Sequence, residues 1–332
     1  MTKILTAAIV GLGKAGSRFD EEPGRSVPWS HAGAYLHLAD RFRIIAGADP
    51  MAENAARFRK RCPEAKVYPD IAAMLAETKP DVVSICTPAT RHRADLEIAL
   101  SCPSVKAVWC EKPLSTDLAE AEAMVAMAAA RKIPVLVTYN RRWLPLWRKV
   151  KELLDSGEIG DLVCLRIAGP NRIYSLSSHL IDLMRFLAGD PVSVLAQDLP
   201  QLVETNEPSA AAIFTYASGA YGILQVTGFR AQLVIEGELI GRKGRLLVRE
   251  DPSKLTIERF VPHAEFEHYE RLVAAGEGRY ASLTTLSVFV EAAAELAQLA
   301  VDPSAPCSSD IASALGTQRL IDRIVSASRH AG

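Results

Sequence analysis

The chain has 332 residues, a net charge of -1 and 23% charged side chains, so it carries no basic excess to hold nucleic acid or an anionic membrane surface. Its length exceeds what one hydrophobic core fills, roughly 250–300 residues, and two domains are expected. With 49% hydrophobic residues the composition is that of a soluble globular protein.

The first apolar run, Thr6–Val10, reads as a buried strand. It leads into Gly11-Leu12-Gly13-Lys14-Ala15-Gly16. This is the G-x-G-x-x-G pattern in its proper setting, after a strand and at the opening of a helix. The first glycine allows the turn, the second lets a pyrophosphate approach the backbone, and the third lets helix and strand pack closely. The N–H groups of the helix start complete an anion site. A second strand, Arg43–Ala48, ends in Asp49, placed to accept hydrogen bonds from ribose hydroxyls and to repel a 2′-phosphate. NAD is therefore favoured over NADP. Asp49 lies 33 residues beyond Gly16 instead of about 20. The stretch Phe19–Ser30, with Pro23, Gly24, Pro28 and Trp29, is the insertion that accounts for the excess. It reads either as a lid over the site or as a surface or oligomer contact.

Helices at Ala52–Arg61, Ile71–Glu77, Arg91–Leu100 and Asp117–Arg131 alternate with strands at Val82–Cys86, Val105–Cys110 and Pro134–Tyr139. That alternation means a parallel sheet covered on both faces. The strand Val105–Cys110 stops at Glu111-Lys112-Pro113, because proline cannot donate to a ladder. Lys112 thus stands at the carboxyl end of a central strand, the edge where open α/β sheets bind ligands. It serves chemistry there or turns out to solvent. The first domain is set at residues 1–142, and a linking helix, Pro145–Ser156, follows it.

The second domain, residues 143–332, opens with a strand at 161–169 and a helix at His179–Ala188. Strands then follow one another at Ala211–Tyr216, Ala220–Thr227, Ala231–Gly237, Gly244–Arg249 and Lys254–Arg259, a largely antiparallel sheet. Val261–Ser282 reads as an irregular, mobile connection. Two helices, Ser282–Leu299 and Ser308–Ser328, end the chain, with the option of packing back on the first domain. The fold class is α/β, a doubly wound parallel sheet followed by an α+β domain.

The six cysteines, Cys62, Cys86, Cys102, Cys110, Cys164 and Cys307, form no C-x-x-C pair, and no leader pattern precedes the first strand. A reduced, cytoplasmic protein without a membrane span is expected. His263 and His268 lack metal-site spacing and read as a solvated loop. His31 and His37 flank the insertion. His179 and Asp182, three apart at a helix start, share one face. Histidine is suited to taking a hydroxyl proton near neutral pH. Asn171, Arg172 and Tyr174, just upstream, either read substrate hydroxyls or phosphates or belong to a loop surface.

Taken together, the glycine loop, Cys86-Thr87-Pro88-Ala89-Thr90-Arg91-His92, Glu111-Lys112-Pro113, Tyr139-Asn140-Arg141-Arg142 and His179-Leu180-Ile181-Asp182-Leu183 resemble the glucose–fructose oxidoreductase/inositol dehydrogenase family, over about residues 5–190. The resemblance implies that Thr87, Pro88, His92, Glu111 and Lys112 line the nicotinamide end of the cofactor. It also implies that the open sheet makes a homodimer or homotetramer contact. Members typically carry an aspartate four residues before the histidine, and Ser175 stands there instead. The implied activity is NAD-dependent hydride transfer to or from a secondary alcohol of a sugar, polyol or nucleotide sugar. His179 would handle the proton and Lys112 would bind the same oxygen. Tyr174, Ser175, Asp182 and Asn171 would contact the substrate, and no metal is needed. Two rival readings are a non-catalytic, cofactor-bound sensor of sugar or protein, and a dehalogenating or ether-cleaving reaction with the same cofactor.

Overall fold

The computed structural model describes residues 4–170, 172–199, 209–227, 234–281 and 286–329. Two compact units result. The first comprises Met1–Trp143 with Leu283–Gln318, the second Leu144–Ser282 with Arg319–Gly332.

In the first unit β1 (Leu5–Val10), α1 (His31–His37), β2 (Phe42–Ala48), α2 (Ala52–Arg61), β3 (Lys66–Tyr68), α3 (Ile71–Thr78), β4 (Val82–Ile85), α4 (His92–Ser101), β5 (Ala107–Cys110), α5 (Leu118–Arg131) and β6 (Val135–Val137) follow in order. The six strands form one parallel sheet in the order β3-β2-β1-β4-β5-β6. Strand order reverses between β1 and β4, so the crevice at their carboxyl ends is the ligand-binding edge. The strands are apolar on both faces because helices cover both. Val83, Ile85, Val108 and Cys110 join the core formed with α4 and α5. Ser84 and Trp109, of opposite parity, meet the other layer, where Tyr35 and Phe289 pack on Trp109. Side-chain caps start the helices: Ser30 accepts from Gly33 N–H, Asp70 from Ala73 N–H and Asp117 from Glu120 N–H.

The second unit holds α6 (Pro145–Asp155), β7 (Leu162–Pro170), α7 (Ser178–Ala188), β8 (Ser193–Asp198), β9 (Ala210–Thr215), β10 (Tyr221–Thr227), β11 (Glu236–Gly241), β12 (Gly244–Arg249), β13 (Lys254–Pro262) and β14 (Glu270–Arg279). Its eight-stranded sheet runs β14-β13-β12-β11-β7-β10-β9-β8, antiparallel except where β10 pairs with β7. The helix α8 (Val288–Val301) lies in the first unit, and α9 (Ile311–Arg329) carries the chain across the boundary after Gln318. Buried residues alternate along β11 and β12, so one face is packed, with Leu165, Ile167, Leu224, Leu239 and Leu246 fully buried. The other face carries a register row of Leu195, Ile213, Ile223, Arg166 and Glu238.

Four elements differ from the sequence reading. Val261–Ser282 is no irregular connection: Glu270–Arg279 forms β14, paired along its length with β13. Its residues are mostly charged or small because an edge strand offers little apolar face to bury and uses charge to discourage further pairing. The strand expected at Ala231–Gly237 begins instead at Glu236, and 231–233 lie outside the described residues. The short β3 and the half-exposed β8 were not anticipated.

Candidate active site

The glycine loop is built by close approaches. Gly11 has φ +84, and a Cβ there would lie 2.6 Å from the Cys86 carbonyl carbon and oxygen. A Cβ on Gly16 would come within 1.9 Å of the Gly11 oxygen, so loop and helix start fit only without side chains. At Gly13 nothing lies within 4 Å of a Cβ, which leaves the backbone open on that side. Such a cradle fits a pyrophosphate.

Asp49, at the end of β2, is buried and joins the loop. Its Oδ2 accepts from Leu12 N–H (2.8 Å) and from the Asn54 amide (3.0 Å), and its Oδ1 accepts from Met51 N–H (2.8 Å). A carboxylate has roughly four acceptor sites. Three donors leave room for a hydroxyl of a ribose. Pro50 and Met51, neither of them basic, follow Asp49 in the chain. Arg18 is a neighbour, donating to Asn54 Oδ1 at 3.1 Å.

The inserted segment leaves after the first turn beyond the loop and returns at Ser30. Its ends are stitched together, since His31 N–H and Ala32 N–H donate to the carbonyls of Ala15 and Gly16. Asp20 closes the neck by accepting from Trp29 N–H, the Ser30 hydroxyl and the Arg61 guanidinium. Glu21 pairs with Arg57 of α2 at 2.7 Å. Trp29 is half-buried, 6.3 Å from the Phe289 ring of α8 and beneath the Arg25 guanidinium at 4.5 Å. The segment is thus braced on the first unit at both its neck and its tryptophan.

The resemblance groups Thr87, Pro88, His92, Glu111 and Lys112, and the fold gathers them after the carboxyl ends of β4 and β5. His92 is 1% exposed. Its Nε2 faces the Thr87 carbonyl at 2.8 Å, and its Nδ1 faces the carbonyls of Pro113 and Leu114 at 3.0 and 3.1 Å. Whichever nitrogen carries the proton, the ring ties one of these two loops. Thr87 donates to buried Asp95 at 2.7 Å. The Lys112–Pro113 peptide bond is cis.

One buried polar cluster escaped the sequence reading. His31, assigned only to the flank of the insertion, is fully buried. Its Nδ1 lies 2.9 Å from Ser84 Oγ, and its Nε2 lies 3.2 Å from Glu111 Oε1. Tyr35 Oη reaches the same Ser84 oxygen at 2.7 Å. The His31 ring rests on Trp109 with centroids 3.6 Å apart. Burial pushes the His31 pKa down, against the hydrogen bond and charge of Glu111. For Glu111, burial opposes ionisation, but His31, Lys112 and Thr138 outweigh it and hold the carboxyl below its ordinary range. The signal was available as parity. Ser84 interrupts an apolar strand, and Glu111 continues the Trp109 face of β5.

In the second unit His179 and Asp182 lie in the first turns of α7, both buried. The turn before them, Ile173–Ser177, is a π-helix, a local widening frequent at functional sites. Leu176 and Ser177 N–H both donate to the Arg172 carbonyl at 2.9 Å, and Arg172 itself takes φ +77, unusual for a side-chain-bearing residue. Tyr174 and Ser175 belong to this turn and are partly buried. The Tyr174 carbonyl accepts from Ser178 Oγ at 2.6 Å. Asn171 lies outside the described residues. In the β13–β14 turn His263 Nδ1 accepts from Glu265 N–H at 3.2 Å. Among the described residues no cluster of potential metal ligands occurs and no helix is long and apolar enough to cross a membrane.

Comparison with known proteins bears on the whole chain. Residues 5–139 match the model of an oxidoreductase family with an NAD-binding Rossmann fold, and residues 168–247 match the GFO/IDH/MocA C-terminal domain. Myo-inositol 2-dehydrogenase of Thermotoga maritima is 25% identical over 280 residues, 76% of this chain and 78% of that protein. Two crystal structures share the fold. An oxidoreductase from Agrobacterium radiobacter, in complex with NAD+, L-tartaric acid and magnesium, has a TM-score of 0.80 at 19% identity, covering 99% of this chain and 98% of the other. The WlbA dehydrogenase from Chromobacterium violaceum, in complex with NADH and UDP-GlcNAcA, has a TM-score of 0.78 at 18% identity, covering 100% and 95%.

Proposed function

The chain belongs to the GFO/IDH/MocA family of oxidoreductases with an NAD-binding Rossmann fold, and from that premise we propose that it moves a hydride between NAD and a carbon bearing a secondary alcohol or ketone in a sugar, polyol or nucleotide sugar. The observation that carries the reading is the shared edge of one sheet. Gly13, Asp49 and Lys112 follow the carboxyl ends of β1, β2 and β5, so a cofactor cradle and a lysine occur together.

NAD supplies the hydride acceptor or donor. The backbone from Leu12 to Gly16 holds the pyrophosphate and Asp49 takes a ribose hydroxyl. Thr87, Pro88 and His92 shape the nicotinamide end. Lys112 donates a hydrogen bond to the substrate oxygen and steadies the negative charge that develops there as the proton leaves. His179 takes or returns that proton, with Asp182 one turn further along α7. Tyr174, Ser175 and Asn171 supply hydrogen bonds to substrate hydroxyls, Ser175 standing where relatives place a carboxylate. A homo-oligomer formed over the open row Leu195, Ile213, Ile223, Arg166 and Glu238 follows from the same reading. Six cysteines without a disulfide among the described residues fit a cytoplasmic location.

The test is a screen of inositols, sugars and nucleotide sugars with NAD+, following NADH formation. Turnover of at least one substrate is expected, lost in Lys112→Met while NADH still binds. Tight NADH binding with no turnover across the panel would favour a cofactor-bound sensor instead.

A further inference from the structure

Tyr35, Ser84, His31 and Glu111 form a buried line of hydrogen bonds that the chemistry above leaves unassigned. They come from three separate elements: Tyr35 and His31 from α1, Ser84 from β4, and Glu111 from the end of β5. The line has a direction. An ionised Glu111 can only accept, so His31 must offer Nε2–H to it. A neutral ring then has Nδ1 as an acceptor, which takes the Ser84 hydroxyl proton, and Ser84 Oγ in turn accepts from Tyr35 O–H. Every donor is used once and all point toward the carboxylate. Reversing the line would put a second proton on His31 and leave the Tyr35 hydroxyl proton without this acceptor.

A merely structural role explains this poorly. Burying a histidine, a serine and a tyrosine hydroxyl is costly unless each is satisfied, and apolar side chains of similar shape would fill the space between Trp109 and Phe289 without that demand. What apolar side chains cannot do is fix one orientation of Glu111. Its Oε2 accepts from the backbone N–H of Lys112 at 3.3 Å, and the Lys112 charge is among the influences that favour the ionised carboxyl.

We propose that His31 is a positioning residue: backed by Ser84 and Tyr35, it holds the Glu111 carboxylate as an oriented anion beside Lys112 and so keeps the Lys112 ammonium charged and in place. The inference rests on the reading of Lys112 as a working residue only for its effect on turnover; the orientation of Glu111 is tested without turnover. The groups beside the Glu111 end of the line are Lys112, Thr138 after β6, and the thiols of Cys86 and, from the other face of β5, Cys110, both kept protonated by burial.

The experiment is an NMR titration of the full chain after reductive 13C-methylation of its lysines, with the Lys112 signal identified by its absence in Lys112→Arg. In His31→Leu the donor to Glu111 is gone, the carboxylate loses its fixed orientation beside Lys112, and the Lys112 midpoint falls by about half a pH unit or more. The other lysines stay in place. His31→Gln, which keeps a donor, restores at least half of the shift. Ser84→Ala gives a smaller fall in the same direction and stands in if His31→Leu does not fold. An unchanged Lys112 midpoint in folded His31→Leu, or in Ser84→Ala where His31→Leu fails, overturns the proposal. Equal shifts in the Leu and Gln variants do so too. If Lys112→Met proves fully active, the function assigned to Lys112 fails, while the titration still decides the role of His31.

Discussion

Replacing Asp49 by alanine tests the cofactor half of the account. The carboxylate accepts from Leu12 N–H, Asn54 and Met51 N–H. Its loss leaves the buried Leu12 N–H unsatisfied, a cost of about 1–3 kcal/mol in the folded protein. A hydrogen bond from a ribose hydroxyl to a charged acceptor is worth about 1.5–3 kcal/mol, which corresponds to roughly 10- to 100-fold in affinity. Fluorescence titration should therefore show NADH binding weakened by that factor. NADPH should lose much less, because the repulsion of its 2′-phosphate disappears and Arg18, held on Asn54, is the cation beside the vacated position. The ratio of the two dissociation constants should move toward NADPH by at least about tenfold. Asp49→Asn should behave similarly: its amide can satisfy Leu12 N–H or Met51 N–H, but not both. Thermal unfolding of each variant separates loss of fold from loss of affinity. An NADH affinity within twofold of the parent, in a variant that melts normally, would refute the assignment of Asp49 to the ribose.

Lys112→Ala and His179→Ala should each lower turnover about 100-fold or more, with NADH affinity largely kept in His179→Ala; near-normal turnover in His179→Ala would move the acid–base role to Tyr174. Asp81, which accepts from Thr6 N–H, Thr6 Oγ1 and Lys106, has a carboxyl that burial would raise but these partners hold at about 2. Its contribution, at most about 2 kcal/mol because water screens the half-exposed Lys106, is present above the unfolded value of 3.8 and is lost as pH falls toward 2. Denaturant unfolding of Asp81→Asn should show a deficit near neutral pH that shrinks across that window, and a pH-independent deficit would contradict it. Trp29→Ala should lower the unfolding midpoint, because the ring packs on Phe289, while leaving substrate KM unchanged; a raised KM at unchanged stability would favour the lid reading of the insertion.

Much of the first unit was legible because its signals are local. An apolar strand, a glycine loop and a carboxylate at the next strand end lie within one βαβ stretch, and the insertion could be recognised by spacing alone. The place of Lys112, just past the end of a proline-terminated buried strand, was legible for the same reason. What escaped was set by long-range geometry. His31 gains its meaning from Ser84 and Glu111, 53 and 80 residues away, and only the facing of β4 and β5 toward α1 brings them together. The edge strand β14 escaped because its alternating pattern is blurred by Gly276 and Gly278 and by a register shift opposite Ile257 and Glu258. The π-turn before α7 also left no mark in the hydrophobic pattern, since it moves the backbone by a single residue.

The central claim is that hydride passes directly between a substrate carbon and the cofactor. The measurement that meets it most directly uses a substrate found in the screen, deuterated at its secondary-alcohol carbon, with unlabelled NAD+ and mass analysis of the cofactor. The account predicts that the NADH formed carries the deuteron. Unlabelled NADH, with deuterium released to solvent, would contradict it.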